Sequence, residues 1–302
     1  MSEETLVKKL GFNKIKLQEP MSHHTQMRVG GPADFYFEGG SAKELAEVVG
    51  TAIKEGVSYT ILGNGANVLV SDKGIRGLVI ANKAKGLKFL PPGFIEAETG
   101  VDNAQLIKEA KNRDLMGTER LLKVPGTIGG AVFMNAGDTG RQKFFGDLVV
   151  SVEVIDKEGQ IKKLLKEDCE FGYRSSRFQK TGEVILKAKL QLKEASREEI
   201  EEAAKDILVR KMHHPSGATV GSTFKNPDYD HAGKLIEGCG LKGKKIGGAK
   251  ISEKHANFII NDGGATAANV RALIELMKKS VKKNLMSICK KRSATSVSGV
   301  NV

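Results

Sequence analysis

A chain of 302 residues with 40% hydrophobic residues and 35 glycines is long enough for two or three domains with sizeable cores, in an α+β or α/β fold. It contains no apolar run of about 18 residues and no secretory h-region near its start, so membrane insertion and export are not expected. Its formal charge of +12 favours anionic partners, yet aromatic residues make up only 5% and no nucleic-acid-binding motif is present, so small phosphorylated ligands fit better than nucleic acid. Cys169, Cys239 and Cys289 are odd in number and far apart, which suits free thiols in a reducing cytoplasm, and no Cys/His spacing matches a zinc site.

Residues 1–20 predict a short mixed helix and a connector ending at Pro20. Gly30-Gly31-Pro32 predicts a turn, and Ala33–Phe37 alternates like a strand. His23 and His24 would point apart on a strand, with no partner at ligand spacing, so no metal is expected there. Ser41 and Glu44 form a capping box for a helix to Glu55, with the apolar stripe Leu45, Val48, Val49, Ala52 and Ile53. Val57–Leu62 predicts a strand that leads into ILGNGANVLVSD, residues Ile61–Asp72. Its G-x-G-x-x-V pattern lacks the third glycine and the following helix of a dinucleotide fingerprint. What remains is a loop of backbone N–H groups between two strands, a concavity suited to a diphosphate.

Gly77–Asn82 predicts a further strand, and Asp102 a cap for a helix carrying Leu106, Ile107 and Ala110. KVPGTIGGAVFMNAG, residues Lys123–Gly137, sets glycines among apolar residues. Such a run is either a tight turn between core segments or a backbone that approaches a ligand closely. Leu148–Ile155 and Gln160–Leu165 predict a hairpin that turns at Asp156–Gly159, within an antiparallel sheet. Tyr173-Arg174-Ser175-Ser176 is a polar cluster between strands; on its residues alone it reads as a solvated turn. Glu183–Leu192 predicts a strand, and Ser196 with Glu199 a second capping box for a helix ending near Arg210–Lys211. The segment 213–220, with Pro215 and Gly217, predicts a linker. GSTFKNP, residues Gly221–Pro227, opens the next unit; its serine by itself suits a cap or a turn. A short helix over Ala232–Glu237, the stretches LKGKKIGGA and ISEKHANFIIN, and a last helix from Thr266 or Ala267 through Val281 complete the pattern.

GNGANVLVSD and PGTIGGAVFMNAG, in this order, resemble the two flavin-binding loops of the UDP-N-acetylenolpyruvoylglucosamine reductase family. Thr25 with Gly30-Gly31-Pro32-Ala33, the Y-R-x-S cluster, GSTFKNP, and the LKGKKIGGA and HANFIIN stretches are similar too, so the likeness runs from about Thr25 to about Val281. The resemblance implies an α+β fold: a two-part FAD-binding domain of the vanillyl-alcohol-oxidase/PCMH type (1–82 and 83–212), then a smaller α+β substrate-binding domain (213–283). It implies FAD as cofactor and NADPH as co-substrate in the reduction of UDP-N-acetylglucosamine enolpyruvate to UDP-N-acetylmuramate, a step of peptidoglycan precursor synthesis. The resemblance places FAD on Gly63, Asn64, Gly65, Ala66, Asn67 and Val68, and on Gly126, Thr127, Gly129, Gly130, Asn135, Ala136 and Gly137. It assigns catalysis to Arg174, which steadies charge at the reacting carbon, and to Ser222, the proton donor. It points to Tyr173, Lys225, Asn226 and His255 as contacts of the UDP-sugar enolpyruvyl ether. No metal, a cytoplasmic monomer, and the subtype without an extra tyrosine loop between Tyr173 and Ser222 are expected.

The pattern fails after Lys283. The family follows its last helix with a short strand, L-x-x-E-V, whose Glu is the third catalytic residue. Here residues 284–302 read NLMSICKKRSATSVSGVNV, an atypical basic tail, and no Asp or Glu follows Glu275. A run of lysine codons is adenine-rich and prone to slipping, which suggests a frameshift near Lys283–Asn284 as a hypothesis. If the tail is genuine, the chain is a weakly active or inactive flavin-binding protein. Another FAD oxidase of the same fold is a further reading, opposed by GSTFKNP.

Overall fold

The computed structural model describes residues 7–9 and 14–295, with side chains as far as Leu285. The first of three main sheets contains β1 (Ile15–Pro20), β2 (Pro32–Gly39), β3 (Tyr59–Leu62) and β4 (Ile75–Asn82), in the order β1-β2-β4-β3. β1 is antiparallel to β2, whereas β2 and β3 both run parallel to β4. The connector expected before Pro20 is therefore a strand. Its residues show no clean alternation because it is an edge, held by ladder bonds to β2 rather than by burial, and Leu17 stays 60% exposed. Helix α1 (Ala42–Lys54) begins at Ser41, whose hydroxyl accepts from the Glu44 N–H; the Glu44 carboxylate takes the N–H of Gly40 instead of that of Ser41. Leu45, Val48, Val49 and Ala52 pack on Phe35, Phe37, Leu78 and Ile80 of the first sheet, and on Ile155, Val184 and Leu186 of the second.

That second sheet is antiparallel throughout. Its strands are β5 (Leu87–Leu90), β6 (Phe94–Glu98), β7 (Val149–Ile155), β8 (Ile161–Leu165) and β9 (Val184–Gln191), ordered β8-β7-β9-β6-β5. β7 and β8 are the expected hairpin. Glu153 pairs with Lys187 but Val154 pairs with Ile185, so Leu186 is an extra residue in β9. Such a bulge reverses the faces of the strand. Val184 and Leu186 face α1, while Ala188 and Leu190 join the other core, with α2 (Asn103–Lys111) and α3 (Ile128–Phe133). Helix α4 (Arg197–Arg210) follows, opened by the full Ser196/Glu199 capping box.

The third sheet contains β10 (Thr219–Ser222), β11 (Lys245–Ile246), β12 (Ala249–Ile251) and β13 (Phe258–Asn261), ordered β10-β13-β12-β11. Helices α5 (Ala232–Glu237) and α6 (Ala267–Thr295) cover it. Ile236, Ile251, Ile259, Val270, Leu273 and Met277 form its core together with Met27 and Val29, which come from the N-terminal part of the chain. The α6 backbone continues through Lys283 to Thr295 without a break. Residues 296–302 of the basic tail lie outside the described residues. Among the described residues no helix is long and apolar enough to cross a membrane.

Candidate FAD and substrate site

The first glycine stretch leaves β3 and turns back before β4. Gly65 is held at φ +60°, and a Cβ there would lie 2.1 Å from the carbonyl oxygen of His24. Only glycine meets both demands. The N–H of Gln26 donates to Gly65 O at 3.0 Å, which ties the loop to the Thr25 segment. Among the described residues, the backbone N–H groups of Asn64, Gly65, Ala66 and Asn67 find no acceptor. Successive free N–H groups on a turn make an anion-binding concavity, so this donor set fits a diphosphate.

The second stretch is more than a turn, because its middle is helix α3. Thr127 caps it, accepting from the Gly130 N–H at 3.4 Å. Gly129 lets the helix settle on Thr99, donating its N–H to Thr99 O at 2.9 Å. The Thr99 hydroxyl donates to Ile185 O at 2.7 Å, inside the bulge of β9, and accepts from Asn82 Nδ2 at 2.8 Å. The bulge thus seats the second loop. The two stretches meet directly: a Cβ on Gly63 would lie 2.7 Å from Thr127 Oγ1.

The sequence predicts Asp102 as the side-chain cap of α2, and the structure corrects this. Its carboxylate makes no cap bond; it accepts from Asn64 Nδ2 of the first loop and from Lys85 Nζ at 2.9 Å. A charged donor and an amide from the facing loop outcompete the helix N–H groups, so Asp102 braces loop against loop. Beside Gly126, the Oδ1 atom of Asn103 is buried without a partner. Free N–H groups on one loop and an unpartnered amide oxygen beside the other fit a polar cofactor laid across both. Gly65→Ala is expected to purify with at least about tenfold less flavin per protein, because the added Cβ displaces the loop. Gly159→Ala, also at positive φ but with nothing within 4 Å, should keep its flavin and serve as the control. Visible absorbance per protein checks both.

A cavity of about 290 Å³ opens beside Gly63 and Asn64, lined also by His23, His24, Tyr36 and Lys83. His24 is occupied within the protein: Nε2 lies 2.7 Å from Glu19 Oε1, and Nδ1 lies 3.0 Å from the Tyr36 hydroxyl. Among the described residues no group of three or more His, Cys, Asp or Glu side chains is placed to hold a metal.

Arg174 sits at φ +52° and is fastened to the end of the second stretch. Its Nη2 donates to Gly137 O at 3.0 Å and its Nη1 to Asn135 O at 3.3 Å. Asn135 is itself fixed, donating to Gly172 O at 2.9 Å and accepting from the Gly146 N–H at 2.8 Å. Burial lowers the Arg174 pKa, yet a guanidinium remains charged. Next to it, the Tyr173 hydroxyl accepts from the Asn226 N–H at 3.3 Å. The Y-R-S-S segment therefore touches both the second glycine stretch and GSTFKNP.

Ser222 ends β10, opposite Phe258, and its exposed hydroxyl has no partner among the described residues. Asn257 clamps the residues that follow: Oδ1 accepts from the Phe224 N–H at 3.0 Å, Nδ2 donates to Phe224 O at 2.9 Å, and its carbonyl takes the Thr223 N–H at 2.7 Å. Lys225 is exposed. His255 packs beneath the motif rather than standing free. A Cβ on Gly233 would lie 2.6 Å from its Cε1, and the Phe258 and His214 rings are 4.9 and 5.6 Å away. Burial lowers the pKa of both imidazoles, that of His214 to about 4, so His214 is neutral at pH 7.

Sequence reasoning missed the charge cluster behind Arg174. Asp138 pairs with Arg210 at 2.5 Å, and Arg210 also holds Asp206 at 2.8 Å. Lys211 is buried, donates to Leu122 O at 2.7 Å, and feels Asp138, Arg174, Arg210 and Lys123. No local pattern marks it, since it follows an ordinary basic helix end. Its pKa falls from 10.5 to about 8, chiefly through burial, with the neighbouring cations adding to the effect against Asp138. Because the folded value lies below the unfolded one, the unfolded chain binds more protons between about pH 8 and 10.5, and this site contributes stability that rises with pH across that window. The difference corresponds to roughly 3 kcal/mol at most. The rise should be absent in Lys211→Met, as read from denaturant midpoints of the two proteins across the window.

Two α+β lobes whose glycine loops converge, with free N–H groups on one loop, define a two-part FAD-binding protein, and the family model described as FAD binding domain matches residues 33–165. A second model, described as the C-terminal domain of UDP-N-acetylenolpyruvoylglucosamine reductase, matches residues 211–287. The chain belongs to the UDP-N-acetylenolpyruvoylglucosamine reductase family. It is 41% identical over 274 residues to the protein of that name from Caldanaerobacter subterraneus, covering 89% of each chain. It superimposes on the crystal structure of the Thermus caldophilus reductase with a TM-score of 0.78 at 33% identity, over 88% of this chain and 94% of that one. An alkyldihydroxyacetonephosphate synthase shares the fold of 64% of this chain, with a TM-score of 0.51 at 15% identity.

Proposed function

We propose that this chain reduces UDP-N-acetylglucosamine enolpyruvate to UDP-N-acetylmuramate with NADPH, through bound FAD, in peptidoglycan precursor synthesis, and does so as a cytoplasmic monomer. The observation that carries the reading is the Tyr173–Asn226 bond, which joins the Arg174 segment, fixed to the second flavin loop, to the strand end bearing Ser222. FAD, when bound, supplies the hydride that passes from NADPH to the enolpyruvyl double bond. The protein supplies position and charge. Arg174 cannot lose its proton and is held from behind by two carbonyls, so it can stabilise negative charge growing beside the substrate carboxylate. The Ser222 hydroxyl, unengaged elsewhere, gives its proton to the carbon next to the one that takes the hydride. Lys123, Arg174 and Lys211 add a positive field that suits a substrate carrying a diphosphate and a carboxylate, while Arg210 is balanced by Asp138 and Asp206. Lys225 and Asn226 are the substrate contacts of this reading, and His255 supports their motif from beneath. An anaerobic titration tests the reading: NADPH should bleach the yellow protein, and the enolpyruvyl nucleotide sugar should restore the colour. Bleaching with no return on adding the substrate would refute it for this chain.

We infer further that the tail after Lys283 is a shifted reading of a segment that ends like its relatives. Read one base earlier, Lys283 to Ser298 can encode K-F-N-V-D-L-Q-E-E-V-R-Y-I-G-E for one choice among many synonymous codons. That choice takes a TCN codon for Ser287, which turns the junction with Met286 into Val, and AAG-AAG-AGG for Lys290 to Arg292, which gives consecutive Glu codons. The stretch L-Q-E-E-V satisfies the L-x-x-E-V pattern and restores acidic residues where the present reading has none. The match to the C-terminal-domain model ends at residue 287, four residues past Lys283. Resequencing the source DNA decides the matter, and an in-frame read through the present tail sinks it.

A further inference from the structure

Asp72 ends the first glycine stretch, and the chemistry proposed above does not use it. Its carboxylate reaches the start of α6: Oδ1 accepts from the Ala267 N–H at 2.7 Å and Oδ2 from the Ala268 N–H at 2.9 Å, across 195 and 196 residues of sequence. The helix already has a cap of its own. Asn269 N–H donates to Thr266 Oγ1 at 3.1 Å, and Thr266 N–H donates to Asn269 Oδ1 at 3.2 Å. Asp72 therefore takes the two N–H groups that this cap leaves open, and sets a negative charge at the positive end of the helix.

Its own mounting is rigid. Gly31 donates its N–H to Ser71 O at 2.8 Å, and a Cβ on Gly31 would lie 2.1 Å from Asp72 O. The neighbouring contacts run the same way: Asn261 Nδ2 donates to Met27 O at 2.9 Å, and Met27 and Val29 are buried in the third core. Through Val270, Leu273 and Met277, α6 packs in the core of the sheet whose first strand ends at Ser222.

We propose that Asp72 is a positioning residue that registers the third domain, and Ser222 with it, over the cofactor loops. The loop that offers free N–H groups at Asn64–Asn67 is the one that grips α6, so order in the one is passed to the other. This rests on the reductase reading for its kinetic arm but not for its structural one.

The test compares Asp72→Asn, which keeps the shape and loses the charge and one acceptor, with Asp72→Ala and with Asp72→Glu as a rescue. In the two half-reactions measured separately, reduction of bound flavin by NADPH should change by less than about twofold. Reduction of the nucleotide sugar should slow by roughly 10-fold in Asp72→Asn and up to about 100-fold in Asp72→Ala, with part of the rate regained in Asp72→Glu. Hydrogen exchange of the intact protein should quicken by about 10-fold or more at Ala267 and Ala268 in Asp72→Ala, and also at Met27–Val29. Equal slowing of both half-reactions, or a lower Tm with neither half-reaction altered, overturns the proposal. Unchanged exchange at Met27–Val29 overturns it too, and leaves the reductase reading standing. Faster exchange in a protein that never reduces the nucleotide sugar upholds the coupling and removes the reductase reading alone.

Discussion

Ser222→Ala is expected to reduce its flavin with NADPH at the normal rate and to reduce the enolpyruvyl nucleotide sugar roughly 10²- to 10⁴-fold more slowly. The contrast follows from the position of the side chain. The hydroxyl is exposed and bonds to nothing among the described residues, while the backbone of Ser222 pairs with Phe258. Removing it empties no core, so stability should move by less than about 0.5 kcal/mol. What is lost is a proton source. A serine hydroxyl is a weak acid in water and serves only against a strongly basic carbon in a site from which water is shut out. Stopped-flow traces of the two half-reactions separate the outcomes: selective loss of the second supports proton donation, and equal loss of both removes Ser222 from the chemistry.

The second large effect concerns the tail. Replacing residues 284–302 with the shifted reading that contains L-Q-E-E-V is expected to raise the rate of nucleotide-sugar reduction by roughly 10²- to 10⁴-fold over the present chain, because one group acting in the transition state is commonly worth that much. Reduction of flavin by NADPH should be the same in both proteins, since the enolpyruvyl substrate, on which this glutamate is expected to act, takes no part in that half-reaction. A second replacement, with the second glutamate of L-Q-E-E-V changed to glutamine, should return the rate to the level of the present chain. Rates that do not differ between the two tails would show that the restored segment supplies no catalytic group.

The tight glycine turn of the first loop was legible in the sequence, for a physical reason. A glycine at forced positive φ or under a neighbouring carbonyl, as at Gly65, tolerates no other residue, so close backbone approach leaves a mark in the chain itself. The caps at Ser41 and Ser196 and the hairpin of β7 and β8 are likewise local patterns that one strand or one helix turn can express, whereas Arg174 and Ser222 stood out only through the family resemblance. Edge strand β1 was not legible, because pairing with β2 and not burial holds it.

What the sequence by itself determined is therefore the kind of protein and the residue types of its loops: two glycine stretches, an arginine and a serine motif, and a tail that departs from them. The tertiary structure alone decided how these meet. The bulge at Leu186 that seats α3 on Thr99, the use of Asp102 between loops rather than as a cap, the burial of Lys211 behind Arg174, and the reach of Asp72 to α6 all join residues distant in sequence. Aspartate and lysine meet many local needs equally well, and only the packing of distant elements settles which partner each one finds.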